Sequence, residues 1–170
     1  MDHDGEARGG PLTEALPERE PADHQVAAGA VAGLAGGAAM WLAAMIAARS
    51  DMGFLFPLRL VAASFLGESA LDTGQTLAPL LLGTLLVALT SVLFGLVYTS
   101  ILPEGVDGFA AMLVGIVYAA ALWLVTWFVM ARVLDPILYA AGRPLHMLAL
   151  QAFYGAVLGL LVPFLRKVLP

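Results

Sequence analysis

The chain has 170 residues, of which 61% are hydrophobic and 12% are charged, and its formal net charge at pH 7 is −5. Soluble domains carry about 45–50% apolar and about 25% charged residues, so this composition excludes an ordinary soluble protein. Cysteine is absent, which excludes disulfides, thiolate metal sites and a cysteine nucleophile. The sequence has no basic patch for nucleic acid, and the expected partner is the lipid bilayer.

The acidic N-terminal stretch, residues 1–24, is predicted to be a disordered tail. It is rich in proline, glycine and charged residues, and it has too few apolar residues to form a packed core. It also lacks the basic start and short apolar run of a cleaved signal peptide, so we expect the first helix to stay in the mature protein. The membrane domain is predicted to cover residues 25–170.

Four apolar stretches are long enough to cross a bilayer core of about 30 Å, which takes about 20 helical residues. They cover residues 26–48, 77–102, 109–131 and 145–165. None has the alternating pattern of a membrane barrel strand. The sequence therefore predicts an all-α membrane protein with four transmembrane helices.

Two shorter apolar segments, residues 57–66 and 136–141, follow the first and third spans. Each begins at a proline, Pro57 or Pro136, and is followed by a glycine, the residues that favour a helix start and a helix end. Because ten helical residues reach only about 15 Å, these segments are predicted to be interfacial or re-entrant helices. Arg59 is expected close to the lipid headgroups, at the edge of the apolar face that consists of Leu58, Val61, Ala62 and Phe65.

The two halves of the chain resemble each other. "GLAGGAAMWLAAMIAAR" aligns with "GIVYAAALWLVTWFVMAR", which matches Gly33 to Gly115, and "FGLVYTSILP" aligns with "YGAVLGLLVP", which matches Gly95 to Gly155. A tandem repeat of two helices would place matched helices opposite each other about an axis along the membrane normal. The alternative is chance, because Leu, Ala and Gly dominate any membrane span.

Small residues indicate where the helices touch, because membrane helices associate through close backbone contact. The expected packing glycines, several in GxxxG steps, are Gly29, Gly33, Gly37, Gly95, Gly155 and Gly159. The stripe Thr84, Ala88, Ser91, Gly95 and Tyr98 is also expected to face inward. Packing within one chain, contact with a second copy or another membrane subunit, and the lining of a pathway all fit these patterns.

Polar residues at membrane depth are few. Ser91, Gln151 and Tyr154 form a candidate intramembrane polar site, and Gln151 and Tyr154 lie one helical turn apart. They could bind a small molecule or form a hydrogen bond between helices. No Asp, Glu, Lys or Arg lies in the middle of a span, which argues against a proton-coupled or sodium-coupled carrier.

No metal, cofactor or catalytic site is predicted. His146 has no second ligand at a recognisable spacing, and His3 and His24 lie in or beside the tail. No Ser, His and acid arrangement indicates hydrolysis, so enzyme activity is not expected. The three tryptophans, Trp41, Trp123 and Trp127, are interpreted as packing residues or interface anchors.

Basic residues on the side of the two longer loops could contact the headgroup of an anionic phospholipid. They are Arg49, Arg59, Arg132 and Arg143. The alternative is that they only anchor the protein at the interface. Arginine and lysine are equally frequent on the two sides, but "PEGVDG" has neither, as exported loops often do. That loop shares its side with both termini and so favours exported termini, but an unprocessed tail is more often cytoplasmic, and on that ground we expect a cell-membrane protein with both termini in the cytoplasm.

The patterns "AGLAGGAAMW", "GFLFPLRLVAASFLG" and "FYGAVLGLLVP" resemble small uncharacterised bacterial four-helix membrane proteins, over residues 26–165. That resemblance implies no chemistry that could be transferred. The leading hypothesis from sequence is a non-enzymatic accessory, assembly or self-associating helical bundle. The alternatives are a small transporter or channel and a phospholipid-binding membrane protein.

Overall fold

The computed structural model describes residues 22–72, 74, 77–141 and 143–169. These residues form helices and connecting loops without any strand, and four of the helices are long and apolar enough to cross a membrane. The helices are α1 (Ala22–Ala48), α2 (Phe56–Leu66), α3 (Leu77–Ile101), α4 (Gly108–Val125), α5 (Arg132–Leu134), α6 (Pro136–Ala141) and α7 (Pro144–Val168). The predicted all-helical fold with four spans is confirmed.

The first helix begins earlier than predicted. Most of the predicted tail, residues 1–21, lies outside the described residues, but Ala22–His24 already belong to α1. Asp23 lies in the first turn, where a carboxylate interacts favourably with the helix dipole. The Gln25 amide donates a 2.9 Å hydrogen bond to Glu104, which joins this end of α1 to the loop between α3 and α4.

The third span changes its helical geometry. After α4, residues Thr126–Ala131 form a π-helix, and α5 completes the span. At the other end, Asp107 caps α4 because its carboxylate accepts hydrogen bonds from the amides of Phe109 (2.9 Å) and Ala110 (3.0 Å). The predicted span therefore exists, but hydrophobicity did not indicate its wider final turns.

Helix α2 packs against the bundle. Pro57 lies in its first turn, and Gly67 ends it with φ of 74°, a value that favours glycine. The Leu58 main chain approaches Gly83 of α3 so closely that a Cβ on Gly83 would lie 2.9 Å from the Leu58 carbonyl carbon. Gly83 lies more than one turn after the start of α3, so α2 lies alongside the first turns of that helix.

Arg59 belongs to the buried face of α2 and not to the edge of an apolar face, which corrects the expectation from the sequence. Its side chain is 7% exposed, and its Nη1 donates a 2.7 Å hydrogen bond to the Asp72 carbonyl oxygen. The buried face of α2 is Arg59, Leu60, Ala62 and Ala63, whereas Phe65 is 70% exposed. The reason is that α2 packs against α3 and against the turn that follows α2. Amphipathic periodicity alone did not identify these neighbours.

The second short helix, α6, begins as predicted. One Asp135 carboxylate oxygen accepts a 2.9 Å hydrogen bond from the Leu138 amide, and the other accepts the Ser64 hydroxyl hydrogen of α2. The two short helices are therefore joined at one end of the bundle, the end with the two longer loops, which we call the loop side. Gly142, the predicted end of this segment, lies outside the described residues.

Glycines bring the long helices together in two pairs, α1 with α3 and α4 with α7. A Cβ on Gly33 would lie 3.0 Å from the Gly95 Cα, and a Cβ on Gly115 would lie 3.0 Å from the Gly155 carbonyl carbon. The repeat alignment matches Gly33 to Gly115 and Gly95 to Gly155, so equivalent residues make equivalent contacts in both halves.

The remaining predicted packing glycines have the same role. Gly29 lies against Thr99 and Gly37 against Ser91, in the α1–α3 pair, and Gly159 lies against Ala111 in the α4–α7 pair. The Gly29–Thr99 and Ala111–Gly159 contacts are also equivalent under the repeat alignment. All six predicted glycines therefore pack within this chain.

The four long helices form a ring. Helix α1 also packs on α7, while α3 and α4 are bridged by hydrogen bonds from Tyr98 to the Ala111 carbonyl oxygen (2.6 Å) and from Tyr118 to the Phe94 carbonyl oxygen (2.9 Å). Matched helices, α1 with α4 and α3 with α7, consequently lie diagonally across the bundle. This is the arrangement that a tandem repeat predicts.

The inward face of α3 differs from prediction at one position. Thr84 is exposed, and Ala88 is only half-buried. The buried residues are Pro79, Gly83, Val87, Ser91, Gly95, Tyr98 and Thr99. Steps of four residues from Gly83 reach Gly95 on the same face, and Thr84 lies one residue outside that face.

Candidate binding cavity

The half of the bundle on the loop side contains a cavity of about 350 Å³. Its wall includes the second half of α1, the middle of α3, the end of the third span and the first half of α7. Phe56, Pro57, Leu60 and Val61 of α2 complete the wall. Most of these side chains are apolar, which is typical of small-molecule sites.

Both halves of the repeat contribute equivalent residues to the cavity. Five matched pairs line it, Trp41 with Trp123, Ala44 with Thr126, Thr90 with Leu150, Ser91 with Gln151, and Phe94 with Tyr154. The cavity therefore lies between residues that the repeat alignment matches. Membrane transporters built from repeats also place their ligand sites at the repeat interface.

The predicted intramembrane polar residues meet at this wall. The Tyr154 hydroxyl donates a 3.0 Å hydrogen bond to the Ser91 carbonyl oxygen, which joins α7 to α3 across the bundle. Tyr154 is 1% exposed and Ser91 5%, while Gln151 is half-buried one turn nearer the loops. These three residues give the apolar cavity a small polar patch at its inner end.

The cavity opens beside an ion pair. Arg143 Nη2 lies 3.5 Å from an Asp51 carboxylate oxygen, and these side chains are 69% and 53% exposed. They are the two charged residues among the described lining residues, and the exposed imidazole of His146 lies at the same level. The loop-side mouth is therefore polar and carries one charge of each sign.

The other end of the cavity is closed by packed side chains. Tyr98, Leu102, Ala111, Leu158 and Val162 form a buried cluster in the half of the bundle nearer the termini. Each of these side chains is at most 3% exposed. Among the described residues, this cluster separates the cavity from the side of the termini.

The π-helix shapes one wall of the cavity. Thr126 and Trp127 lie on it and line the cavity, and the Trp127 ring packs on Tyr139 with centroids 5.2 Å apart. Single π turns within helices often occur at functional sites. Sequence reasoning missed this wall, although the matched Trp41 and Trp123 were visible in the repeat alignment.

The four predicted headgroup arginines occupy different environments. Arg143 lines the cavity mouth, whereas Arg49 and Arg132 are exposed and are not among its described lining residues. Arg59 is buried and bonded to the Asp72 carbonyl oxygen. The structure therefore places only Arg143, of these four, beside the cavity.

Among the described residues, no three His, Cys, Asp or Glu side chains lie close enough together to hold a metal ion. Comparisons with protein families, with curated proteins and with solved structures give no match to this chain. Function is therefore inferred from the cavity and its residues.

Proposed function

We propose that this protein binds one membrane amphiphile, with a hydrocarbon chain in the cavity and the polar end at the loop-side mouth. The observation that carries the proposal is the apolar cavity of about 350 Å³ between the helices, with the exposed Arg143–Asp51 ion pair among its lining residues. This function belongs to the phospholipid-binding class anticipated from the sequence. It requires no catalytic group.

The dimensions of the cavity fit a single chain. Its wall on α7 runs from Arg143 to Tyr154, a distance of about 16 Å at the helical rise of about 1.5 Å per residue. A volume of about 350 Å³ over that length gives a mean cross-section of about 20 Å². One extended hydrocarbon chain has a similar cross-section, so the second chain of a diacyl lipid would stay in the bilayer.

The small-residue faces provide less support for an assembly or self-associating role. That hypothesis relied on glycines such as Gly29, Gly33 and Gly155, and these glycines contact helices of the same chain. An assembly role would therefore need a different surface. An open aqueous channel also receives little support, because the Tyr98 and Leu158 cluster closes the inner end.

A carrier that moves such an amphiphile across the bilayer is a second candidate. The position of the cavity between two repeated halves favours it, since carriers with repeats alternate access by rocking one part against another. A carrier would accelerate the transfer of fluorescent phospholipids between leaflets of proteoliposomes. A binding protein would retain the lipid without accelerating its transfer.

The binding proposal can be tested through tryptophan fluorescence, because all three tryptophans line the cavity. In the variant W41F/W123F only Trp127 remains, and its side chain is 6% exposed. We expect vesicles made of brominated phosphatidylethanolamine and phosphatidylcholine to quench Trp127 strongly. Bulk lipid quenches a buried tryptophan poorly, so strong quenching reports a chain inside the cavity.

Two alanines of α1 provide a matched control. Ala44 is buried and lines the cavity, whereas Ala38 is exposed on the same helix. In the single-tryptophan background, A44L should reduce quenching by filling the cavity, and A38L should leave it unchanged. Weak quenching in the parent variant, or equal quenching in all three proteins, would contradict the proposal.

We also propose that the protein resides in the cell membrane with both termini in the cytoplasm. The basic pair Arg166 and Lys167 at the end of α7 supports this orientation, whereas the absence of lysine and arginine from "PEGVDG", which lies on the same side, is the argument against it. In intact cells, a cysteine introduced at the exposed Ser69, in the turn after α2, should react with an impermeant maleimide, and cysteines near the N-terminus or at Gly105 should not. The reverse result would overturn the proposed orientation.

A further inference from the structure

The cavity mouth carries two opposite charges that are both free to change partners. Arg143 and Asp51 are 3.5 Å apart, both are more than half exposed, and both line the cavity. An exposed ion pair of this kind contributes only about 0–1 kcal/mol, so a ligand with stronger interactions can separate it. The pair is therefore a recognition element for a molecule that presents both charges.

We propose that the amphiphile has a zwitterionic headgroup with a phosphate and a primary ammonium, as in phosphatidylethanolamine. This assignment rests on the proposed binding function. The phosphate accepts hydrogen bonds from the Arg143 guanidinium, which matches phosphate geometry, and the ammonium donates to the Asp51 carboxylate. His146 lies at the same mouth and supplies a further polar group for the phosphate.

The two charges favour this headgroup over the alternatives. An anionic headgroup without an amine would pair with Arg143 but would face like-charge repulsion from Asp51. A choline headgroup carries a positive charge but no N–H group, so it cannot donate a hydrogen bond to Asp51. One Asp51 carboxylate oxygen accepts a 3.0 Å hydrogen bond from the Ser50 hydroxyl, and the other, which faces Arg143, is the acceptor for the ammonium.

The hydrocarbon part can come from a diacyl lipid or from a lipid with one chain. Both sources present the same headgroup at Arg143 and one chain to the cavity. The test therefore includes phosphatidylethanolamine and its lyso form. Preferential retention of the lyso form would identify a ligand that enters the cavity whole, and preferential retention of the diacyl form would identify a bilayer lipid with its second chain outside.

The experiment is native mass spectrometry of the full chain released from nanodiscs with equal amounts of phosphatidylethanolamine, phosphatidylglycerol and phosphatidylcholine. We expect phosphatidylethanolamine to be retained about threefold or more over each of the others. The reason is that an exposed ion pair between the headgroup and a side chain of the mouth is worth up to about 1 kcal/mol. R143Q should abolish this preference. D51N should shift retention towards phosphatidylglycerol, because it removes the repulsion and the acceptor charge.

Exposed residues on the same side that do not line the cavity give matched controls. R132Q and E68Q make the same chemical changes at exposed positions, and both should keep the preference. Equal retention of all three lipids, or a preference unchanged in D51N, would overturn the headgroup assignment. Quenching of Trp127 would remain strong in that case, whereas weak quenching would instead overturn the proposed binding function.

Discussion

Gly36 and Tyr118 occupy equivalent positions in the two halves of the protein but affect the bundle in opposite ways. Gly36 lies against the Tyr154 ring, where a Cβ would be 3.3 Å away, and this lets α1 pack directly on α7. Tyr118 instead fills the space between α4 and α3, with its ring centroid 5.4 Å from that of Tyr98. Between these matched positions, the glycine accompanies direct packing of α1 on α7, and the tyrosine occupies the space between α3 and α4.

We expect Tyr118 to stabilise the contact between α3 and α4 mainly through the volume of its ring. Y118A should lower the free energy of unfolding by about 3–5 kcal/mol, as for other large aromatic residues replaced by alanine. Y118F keeps the ring and loses the hydrogen bond to the Phe94 carbonyl oxygen, so it should cost only about 0.6 kcal/mol, and at most about 1.7. Unfolding in mixed detergent and SDS measures both values, and equal losses would show that the hydrogen bond matters more than the ring.

Two glycines on α1 should respond differently to the same change. G33A would place a methyl group 3.0 Å from the Gly95 Cα and closer still to the Ser91 carbonyl oxygen, so the backbones of α1 and α3 must separate. In G36A the new methyl group would lie 3.3 Å from the Tyr154 ring and 3.7 Å from the Tyr154 carbonyl oxygen, with no closer main-chain contact, and alanine gains about 1 kcal/mol of helix propensity over glycine. Thermal unfolding in mild detergent should show a clear loss for G33A and little change for G36A.

The same change in the α4–α7 pair tests whether close backbone contact stabilises both helix pairs equally. G115A should be as damaging as G33A, because Gly115 approaches the Gly155 main chain as Gly33 approaches that of α3. If G115A were harmless while G33A was damaging, the two contacts would not be equivalent. If G36A were as damaging as G33A, close backbone contact would not be the cause.

Much of the fold was predictable because it depends on local sequence. Span length and hydrophobicity located the four long helices, and Pro57 with Gly67 located α2 to within a residue. The glycine contacts followed from the repeat alignment, because a Gly33 to Gly115 match implies the same close approach in both pairs. Each of these features depends on the sequence of a single helix or of a single pair of helices.

The cavity was not predictable because it depends on the shapes of side chains from several helices at once. Trp41 and Trp123 were recognised as aromatic residues of two spans, but nothing in their spacing shows a space between them. The burial of Arg59 was missed for a related reason, since its acceptor, the Asp72 carbonyl oxygen, belongs to a loop. The π-helix at Thr126 has no pattern that hydrophobic periodicity reveals.

The buried position of Arg59 predicts a structural role. R59Q removes the charged donor to the Asp72 carbonyl oxygen, and hydrogen bonds of charged groups contribute about 1.5–3 kcal/mol. R132Q makes the same change at an exposed arginine and should alter stability by at most about 0.5 kcal/mol. Unfolding measurements in detergent, without added lipid, give both values. Equal and small effects would show that Arg59 acts only at the membrane surface.

Arg166 is expected to stabilise the end of α3. Its guanidinium donates to the carbonyl oxygens of Thr99 (2.8 Å), Leu102 (3.2 Å) and Pro103 (3.3 Å), which include carbonyls that the helix end leaves without a partner. R166Q should therefore cost about 1.5–3 kcal/mol. The neighbouring K167Q is the control, because Lys167 is exposed and should change stability by at most about 0.5 kcal/mol.

R166K separates the geometry of Arg166 from its charge. A lysine keeps the positive charge but cannot present the planar fork that reaches three carbonyl oxygens together. R166K should therefore recover less than half of the stability that R166Q loses. Full recovery would show that charge at the end of the helix, and not the bridging geometry, stabilises this end of the bundle.

The closed end of the cavity predicts different reactivity for two cysteines on α7. Gln151 lines the cavity, while Leu158, two turns further along, is fully buried in the packed cluster. Because the chain has no native cysteine, Q151C and L158C each provide a single thiol. N-ethylmaleimide, which is small and uncharged, should modify Q151C at least about tenfold faster than L158C, whose exposure requires local unfolding with a free-energy cost.

Occupancy by a lipid chain should slow the reaction of Q151C. Excess phosphatidylethanolamine fills the cavity, and A44L narrows it, so each should lower the modification rate of Q151C and leave that of L158C unchanged. The rates follow from the mass of the modified protein over time. Fast reaction of L158C would mean that the inner end is open, as in a channel, and the absence of reaction at Q151C would mean that the cavity cannot admit a ligand.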